Sequence, residues 1–404
     1  MIIPSSSQFE LLLVCLRSLA AHGPAAIPYE TLVILNDAGG DAEARLGEAA
    51  AGLRVVASPV NLGLAGAGNR GRALARGELL VLLHDDAEVE PGWLEALVAT
   101  AGEHPEAGAV GSLVLFPDGR LQSAGMILWR DAVTSPPWFG AAPSPAAFAR
   151  RRAVDYSGTC SLLVHAATWD ASGGLDERLY PVYFIDVDLA MAIRRHGQVV
   201  LYEPRSRIRH HQGASASLRF RRFLLGRNRR LFLEKWEREL EEHEPPDRDS
   251  PEAFQRALAR AEVVGERRRR AVPPAAAPRP TPPPFDPAAQ QKEHLEKAVA
   301  LQCDYAAHLT AALDEANAEA ERWRQAAEAG ERERASERAE KEAELAARAS
   351  ELAEKEAELA ARAAELTVLR ARVAVLDAIE KGRWWRLYQR LLPLFRAFRC
   401  RGIG

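Results

Sequence analysis

The chain has 404 residues, 53 Lys and Arg against 56 Asp and Glu, and a formal net charge of −3. That length predicts two or three domains, and the near balance of charge excludes a chain-wide field that would hold nucleic acid. No apolar run approaches the ~18 residues of a spanning helix; LLVLL at 79–83 soon meets His84, Asp85 and Asp86.

The opening MIIPSSSQFELLLVCL carries no basic leader and no small-residue cleavage site, and Glu10 interrupts it. It therefore reads as the start of a cytoplasmic protein. Cys15, Cys160, Cys303 and Cys400 are far apart and form no C-x-x-C pair, which predicts reduced thiols rather than a disulfide framework or a zinc site.

Up to residue 240 short β-type runs alternate with helical patterns, the texture of an α/β domain. Strands are predicted at Met1–Pro4, ETLVIL 30–35, LRVVAS 53–58, ELLVLL 78–83, AVGSLVLF 109–116, CSLLVH 160–165 and QVVLYE 198–203. The unbroken apolar runs at 32–35 and 79–83 suit strands covered on both faces, hence a mostly parallel sheet flanked by helices. Ligands then bind beyond the carboxyl ends of the strands.

Residues 241–270 read as a helical extension, with a helix from 252 that ends in Arg267–Arg270. The stretch AVPPAAAPRPTPPPFDP at 271–287 is a Pro-rich linker. From 288 to 380 proline is absent, Ala, Glu, Arg and Leu dominate, and AEKEAELAARASEL at 339–352 recurs as AEKEAELAARAAEL at 353–366. That repeat of two heptads puts Leu345, Leu352, Leu359 and Leu366 on one stripe with Ala349 and Ala363, while Glu342 and Glu356 take the other seam position.

A long α-helical coiled coil that self-associates is expected, with a lone charged helix as the alternative. If continuous, it would reach on the order of 140 Å at ~1.5 Å per residue. The tail 381–404 joins Trp384, Trp385, Tyr388 and Phe395 to six arginines without an acid. It suits peripheral contact with anionic lipid, or a helix that docks onto protein, with a kink at Pro393 in either case.

Acids cluster just past two apolar strands, in VILNDAGGD at 33–41 and LLVLLHDDAEVEPGWL at 79–94. Carboxylates alone repel a nucleotide diphosphate, so such a cluster makes sense around a divalent cation, Mg or Mn, with Asp86 as first ligand and Asp85 second. The plainer reading is an acid that caps the helix beginning near Pro91. Gly66, Gly68 and Gly71 give a G-x-G-x-x-G spacing, but about five residues separate Ser58 from Gly63. A dinucleotide-binding oxidoreductase is therefore the weaker alternative.

NLGLAGAGNRG at 61–71 and GELLVLLHDDAEVEPGWL at 77–94 resemble the family 2 glycosyltransferases of GT-A fold, and the series continues in order. It runs through VGSLVLFPDGRLQSAG, SGTCSLLVH, GGLDERLYPVYFIDVDLAMAIRRHG, RHHQGAS and GRNRRLFLEK, and covers 1–240. The flavour is that of the rhamnosyltransferase-like branch, which builds bacterial surface polysaccharides.

The resemblance implies nucleotide-sugar binding at Pro4, Asn36, Asp37, Asn61, Gly63, Asn69 and Asp85, and metal at Asp86 and His210, with His211 adjacent. It implies catalysis at Asp186, with Asp188 as its substitute. Phe184, Ile185, Val187 and Leu189 would raise the pKa of such a base; the plainer readings are a helix N-terminal acid for Asp186 and a packed or exposed histidine for His210.

The sequence departs from the family pattern with His84 in place of the first acid of Asp-X-Asp, Ile185 for Glu, Asn36 for Asp, and SSS at 5–7 for an aromatic-Asn turn. Trp93 and Trp138 either stack on sugar or simply pack, and the prolyl insertion at 134–148 falls where an acceptor loop is expected. The implied function is an inverting transfer from a nucleotide-sugar donor to a glycan or lipid-linked acceptor at the inner face of the cytoplasmic membrane. A catalytically degenerate head that serves as a coiled-coil scaffold is the alternative.

Overall fold

The computed structural model describes residues 1–380 except 7, 25, 37–45, 47–51, 143–147, 213–216, 249, 269–286 and 331–334, and describes no side chains at 268, 287, 290, 325–330, 335–340 and 378–380. The chain divides into two compact units, Met1–Pro283 and Pro284–Gly404.

The first unit is built on one mixed sheet. Strands β1 (Ile2–Ser5), β2 (Thr31–Leu35), β3 (Leu53–Ala57) and β4 (Leu79–Leu83) alternate with helices α1 (Phe9–His22) and α2 (Gly63–Leu74). The unbroken apolar runs produce buried strands: every residue of β2 is buried, and so are Leu80–Leu83 in β4. β1 lies between β4 and β2, and β3 follows β2, all parallel.

After β4 come β5 (Ala87–Val89), α3 (Trp93–Glu103), β6 (Ala107–Leu115), the short β7 (Leu121–Ser123), β8 (Ile127–Leu128), β9 (Thr134–Ser135) and β10 (Arg152–Val154), then β11 (Ser161–His165). β11 runs antiparallel between β4 and β6. Helices α4 (Ala166–Ala171) and α5 (Ile185–Arg195) lead into β12 (Val199–His210). β12 is parallel to β6, antiparallel to β10, and reaches antiparallel across β5, which sets His210 opposite Ala87.

Helix α6 (Leu218–Leu240) follows, then α7 (Pro251–Arg268). Ala253 and Ala257 of α7 pack on Ile127 and Trp129, and Arg260 pairs with the buried Asp155, so the helical extension is built onto the sheet domain. Of the expected linker, only Pro287 lies inside the described residues.

The second unit corrects one expectation. The 288–380 stretch is two helices, α8 (Pro287–Gly330) and α9 (Ala335–Glu380), packed against each other. Lys292 pairs with Asp377 and Glu319 with Arg348, each at 2.8 Å, so the helices run antiparallel. The leucine stripe faces this seam: Leu366 is buried and Leu345, Leu352 and Leu359 are half-buried, opposite Leu295, Leu301, Tyr305 and Leu309 of α8, all buried. A helix of 44 residues spans about 66 Å, and the single extended rod is not formed. Among the described residues no helix is long and apolar enough to cross a membrane, and the tail 381–404 lies outside them.

Candidate active site

The carboxyl ends of β1, β2 and β4 converge because the three strands are parallel neighbours. Asp85, just past β4, accepts hydrogen bonds from the Ser5 hydroxyl and the Ser6 amide, while burial and the adjacent Asp86 push its carboxyl up to about 6. Pro4 lies within β1 opposite Ile34. Asn36, past β2 and 5% exposed, accepts a hydrogen bond from the Leu62 amide at 3.1 Å. Asn61 accepts one from the Gly63 amide at 2.8 Å. Gly63 has φ +67, and a Cβ there would lie 2.8 Å from the Pro181 carbonyl, so only glycine fits. Asn69 instead holds the Leu175 backbone, donating to its carbonyl and accepting from its amide, both at 2.9 Å. Asp37 falls outside the described residues.

Asp86 lies between two imidazoles. His210 Nε2 is 3.0 Å and His84 Nδ1 3.9 Å from its Oδ1, and the three potential ligand atoms lie within 4.8 Å of one another. Gln122 orients the His210 ring: its amide donates to the His210 carbonyl at 3.3 Å, and its Oε1 lies 2.7 Å from Nδ1. The other nitrogen, Nε2, is thereby turned toward the Asp86 carboxylate. The far nitrogen of His84, Nε2, is engaged by the Thr159 hydroxyl at 3.2 Å. Burial, with the His210 ring beside it, pushes His84 down to about 4, which leaves it neutral. His211 turns away to Glu88 at 2.5 Å.

Two imidazoles and a carboxylate, each oriented by a further hydrogen bond or strand pairing, fit a divalent transition cation. His84, a departure from the acidic pattern, is thus the third donor of the cluster. Gln122 and Thr159 carry no motif signal; only their place in the folded sheet exposes them.

Asp186 sits in the first turn of α5, and its Oδ1 accepts from the Val187 amide at 2.9 Å. Tyr183 and Phe184 before it adopt left-handed conformations, φ 78 and 66. Asn228 of α6, fully buried, holds this turn by donating to the carbonyls of Leu179, Val182 and Tyr183 at 2.9 to 3.1 Å. Burial pushes the Asp186 carboxyl up to about 6 with no neighbouring cation to oppose it. The segment Gly158–Cys160 links the two groups: the Thr159 hydroxyl engages His84, and the Cys160 carbonyl accepts from the His84 amide at 3.2 Å. An alanine methyl at Gly158 would lie 3.8 Å from Asp186 Oδ2.

Three expectations change. Asp188 is committed to packing: 2% exposed, it accepts from Trp236 Nε1 at 2.7 Å and pairs with Lys235 at 2.8 Å. Gly66, Gly68 and Gly71 lie inside α2 rather than on a strand-to-helix turn. A Cβ on Gly68 would meet Leu175 at 2.6 Å and one on Gly71 would meet Ile2, so these glycines allow close packing and the dinucleotide reading falls. Trp93, fully buried, donates to Ser161 at 2.8 Å and packs. Trp138 is half-buried, with the Arg152 guanidinium over its ring at 4.8 Å.

Known proteins are similar to part of this chain. The O-antigen biosynthesis protein RfbC of Myxococcus xanthus is 33% identical over 148 residues, 35% of this chain and 11% of that protein. The N-acetylglucosaminyl-diphospho-decaprenol L-rhamnosyltransferase of Mycobacterium tuberculosis is 31% identical over 148 residues, 34% of this chain and 48% of that enzyme. The match therefore spans less than half the length of either relative. The crystal structure of GalNAc-T7 with UDP, GalNAc and Mn2+ aligns with TM-score 0.48 and 16% identity over 60% of this chain and 48% of that one. Residues 1–169 match the family model described as glycosyl transferase family 2.

Proposed function

We propose that the chain is an inverting glycosyltransferase that moves a sugar from a nucleotide-sugar donor to a glycan or lipid-linked acceptor in surface polysaccharide synthesis, at the inner face of the cytoplasmic membrane. One observation carries the reading: the metal-competent His84–Asp86–His210 cluster and Asp186 lie against one short segment, Thr159 engaging His84 and Gly158 lying beside Asp186. The RfbC and rhamnosyltransferase relatives support the choice of substrate class.

Each residue then has a task. Asp85 and Asn36, past the two strands that flank β1, receive the nucleoside, together with Pro4 of β1, Asn61, Gly63 and Asp37. His84, Asp86 and His210 hold the cation, and two nitrogen donors favour Mn over Mg, which prefers an all-oxygen shell. When bound, the cation offsets charge on the departing diphosphate. Asp186 takes the proton of the acceptor hydroxyl as it attacks the anomeric carbon. Self-association through 288–380 and lipid contact through 381–404 belong to the same reading.

The test is a thermal-shift panel of UDP-, GDP- and dTDP-sugars with the full chain, with and without Mn2+. One donor class is expected to raise the melting temperature only with Mn2+, and His210→Ala to abolish that rise. No stabilisation by any donor in either condition sinks the reading. Donor binding without turnover on any acceptor returns the degenerate head.

A further inference from the structure

Helix α6 has two unlike faces. Its inner face braces the site: Asn228 grips the turn before Asp186, and Lys235 and Trp236 hold Asp188 in the first turn of α5. Its outer face is apolar and cationic. From Leu218 to Leu233 the helix carries six arginines and no acid; Arg227 and Arg229 are half-buried and engaged with Arg178, Asn228 and Asp131, while Arg221 and Arg222 are exposed.

Six large apolar side chains are exposed among the described residues, and two of them belong to this face: Leu218, at 73% the most exposed of the six, and Leu225, at 37%. Seven residues apart, they lie on one side of the helix, with Arg221 and Arg222 exposed on the same side. Arg222 makes no ion pair among the described residues. Exposed leucines cost solvation, and adjacent exposed arginines repel one another. Both costs turn to gain against a surface that is anionic outside and apolar beneath.

We propose that this outer face of α6 is a docking surface for an anionic lipid bilayer. Its place follows from the geometry: one helix would touch the membrane and position the Asp186 turn, which brings a lipid-borne hydroxyl acceptor within the enzyme's reach without a spanning segment. The surface is distinct from the tail 381–404, and it is read without donor or turnover, so it stands or falls independently of the proposed activity.

The experiment is co-sedimentation of the full chain with vesicles of phosphatidylcholine, with and without phosphatidylglycerol. Binding is expected only with phosphatidylglycerol, and is expected to weaken with salt. Arg222→Glu should weaken partitioning about 30-fold, the effect of a two-unit charge change at ~1 kcal/mol per charge. Leu218→Asp with Leu225→Asp should abolish it while the melting temperature is kept, since neither leucine is buried. The tail is intact in every variant. Absence of binding to the anionic vesicles, or equal binding by wild type and variants, overturns the proposal. So does a defect of the variants confined to binding a duplex oligonucleotide, which would mark a nucleic-acid surface instead.

Discussion

The two units handle charge in opposite ways. In Met1–Pro283 the acids Asp155 and Glu203 are each 1% exposed, and arginines meet both: Arg194 at 2.5 Å and Arg260 on Asp155, Arg151 at 2.7 Å and Arg205 at 2.9 Å on Glu203. In the helical pair α8–α9 the ion pairs lie at or near the surface, some a turn apart, as Glu293 with Lys297 and Glu351 with Lys355, and others across the seam, as Lys292 with Asp377 and Arg348 with Glu319. A buried acid met by arginines spends its charge on the fold, and the carboxyls of Asp155 and Glu203 are held below the usual range despite burial. Asp186 and Asp85 are half-buried with no such cation beside them among the described residues and rise to about 6. The chemistry is therefore expected where the fold leaves a half-buried acid unneutralised.

Asp186→Asn should sharpen that contrast most. Transfer is expected to fall 10²- to 10⁴-fold, the usual reach of a general base, with donor binding kept. Stability should move the other way. The folded-state pKa of about 6 lies above the ordinary 3.8, so the fold prefers the neutral acid. That contribution is full at low pH and is lost as pH rises from about 4 to about 6. Urea unfolding of wild type and variant should thus diverge in the variant's favour across this window, by on the order of 3 kcal/mol. Parallel curves with unchanged transfer would remove Asp186 from the site.

How much of this was legible in the letters depends on element length and on partners. β2 and β4 announce themselves through unbroken apolar runs, and Asp85 and Asp86 follow from where β4 stops. β12 reads only as far as Glu203, because beyond it Arg205, Arg207 and Arg209 break the apolar pattern and the register shifts between Glu203 and Arg207. Its last third, which delivers His210 to Asp86, is set by pairing with β5, a three-residue strand too short for any periodic signal.

The cluster's third donor was hidden for a different reason: His84 looks like a lost acid until His210 is seen across the sheet. Gln122, Thr159 and Asn228 act through contacts 75 to 88 or about 45 residues away in sequence. The fold-back of the arm is equally local in cause, since α8 ends at Gly330, a helix-terminating residue inside a composition that otherwise reads as one helix.

The head's side of the contrast breaks next at Asp155→Asn. Arg194, 8% exposed, and Arg260 would then face each other without the carboxylate, and removal of one partner from a buried cluster costs about 3 to 5 kcal/mol. For a unit of this size that is a drop of roughly 10 °C in melting temperature. The pH dependence has the opposite sign to that of Asp186. A carboxyl held low stabilises above its ordinary pKa and loses that contribution in acid, so the gap between variant and wild type should close as pH falls below about 4. A neutral substitution would mean that the cluster contributes packing rather than charge.

The smallest effect belongs to the arm. Glu293 is 62% exposed in its pair with Lys297 at 2.9 Å, in the favourable i, i+4 order. Water screens this pair and two long side chains lose freedom to make it, so Glu293→Ala should cost at most ~0.5 kcal/mol, and less still in high salt. The measurement is thermal unfolding of the full chain followed by far-UV circular dichroism at low and high ionic strength. A cost near that of Asp155→Asn would show that the arm's surface charges hold its helices together. The buried stripe around Leu366 would then be secondary, and the rule that separates functional from structural acids in the head would have no counterpart here.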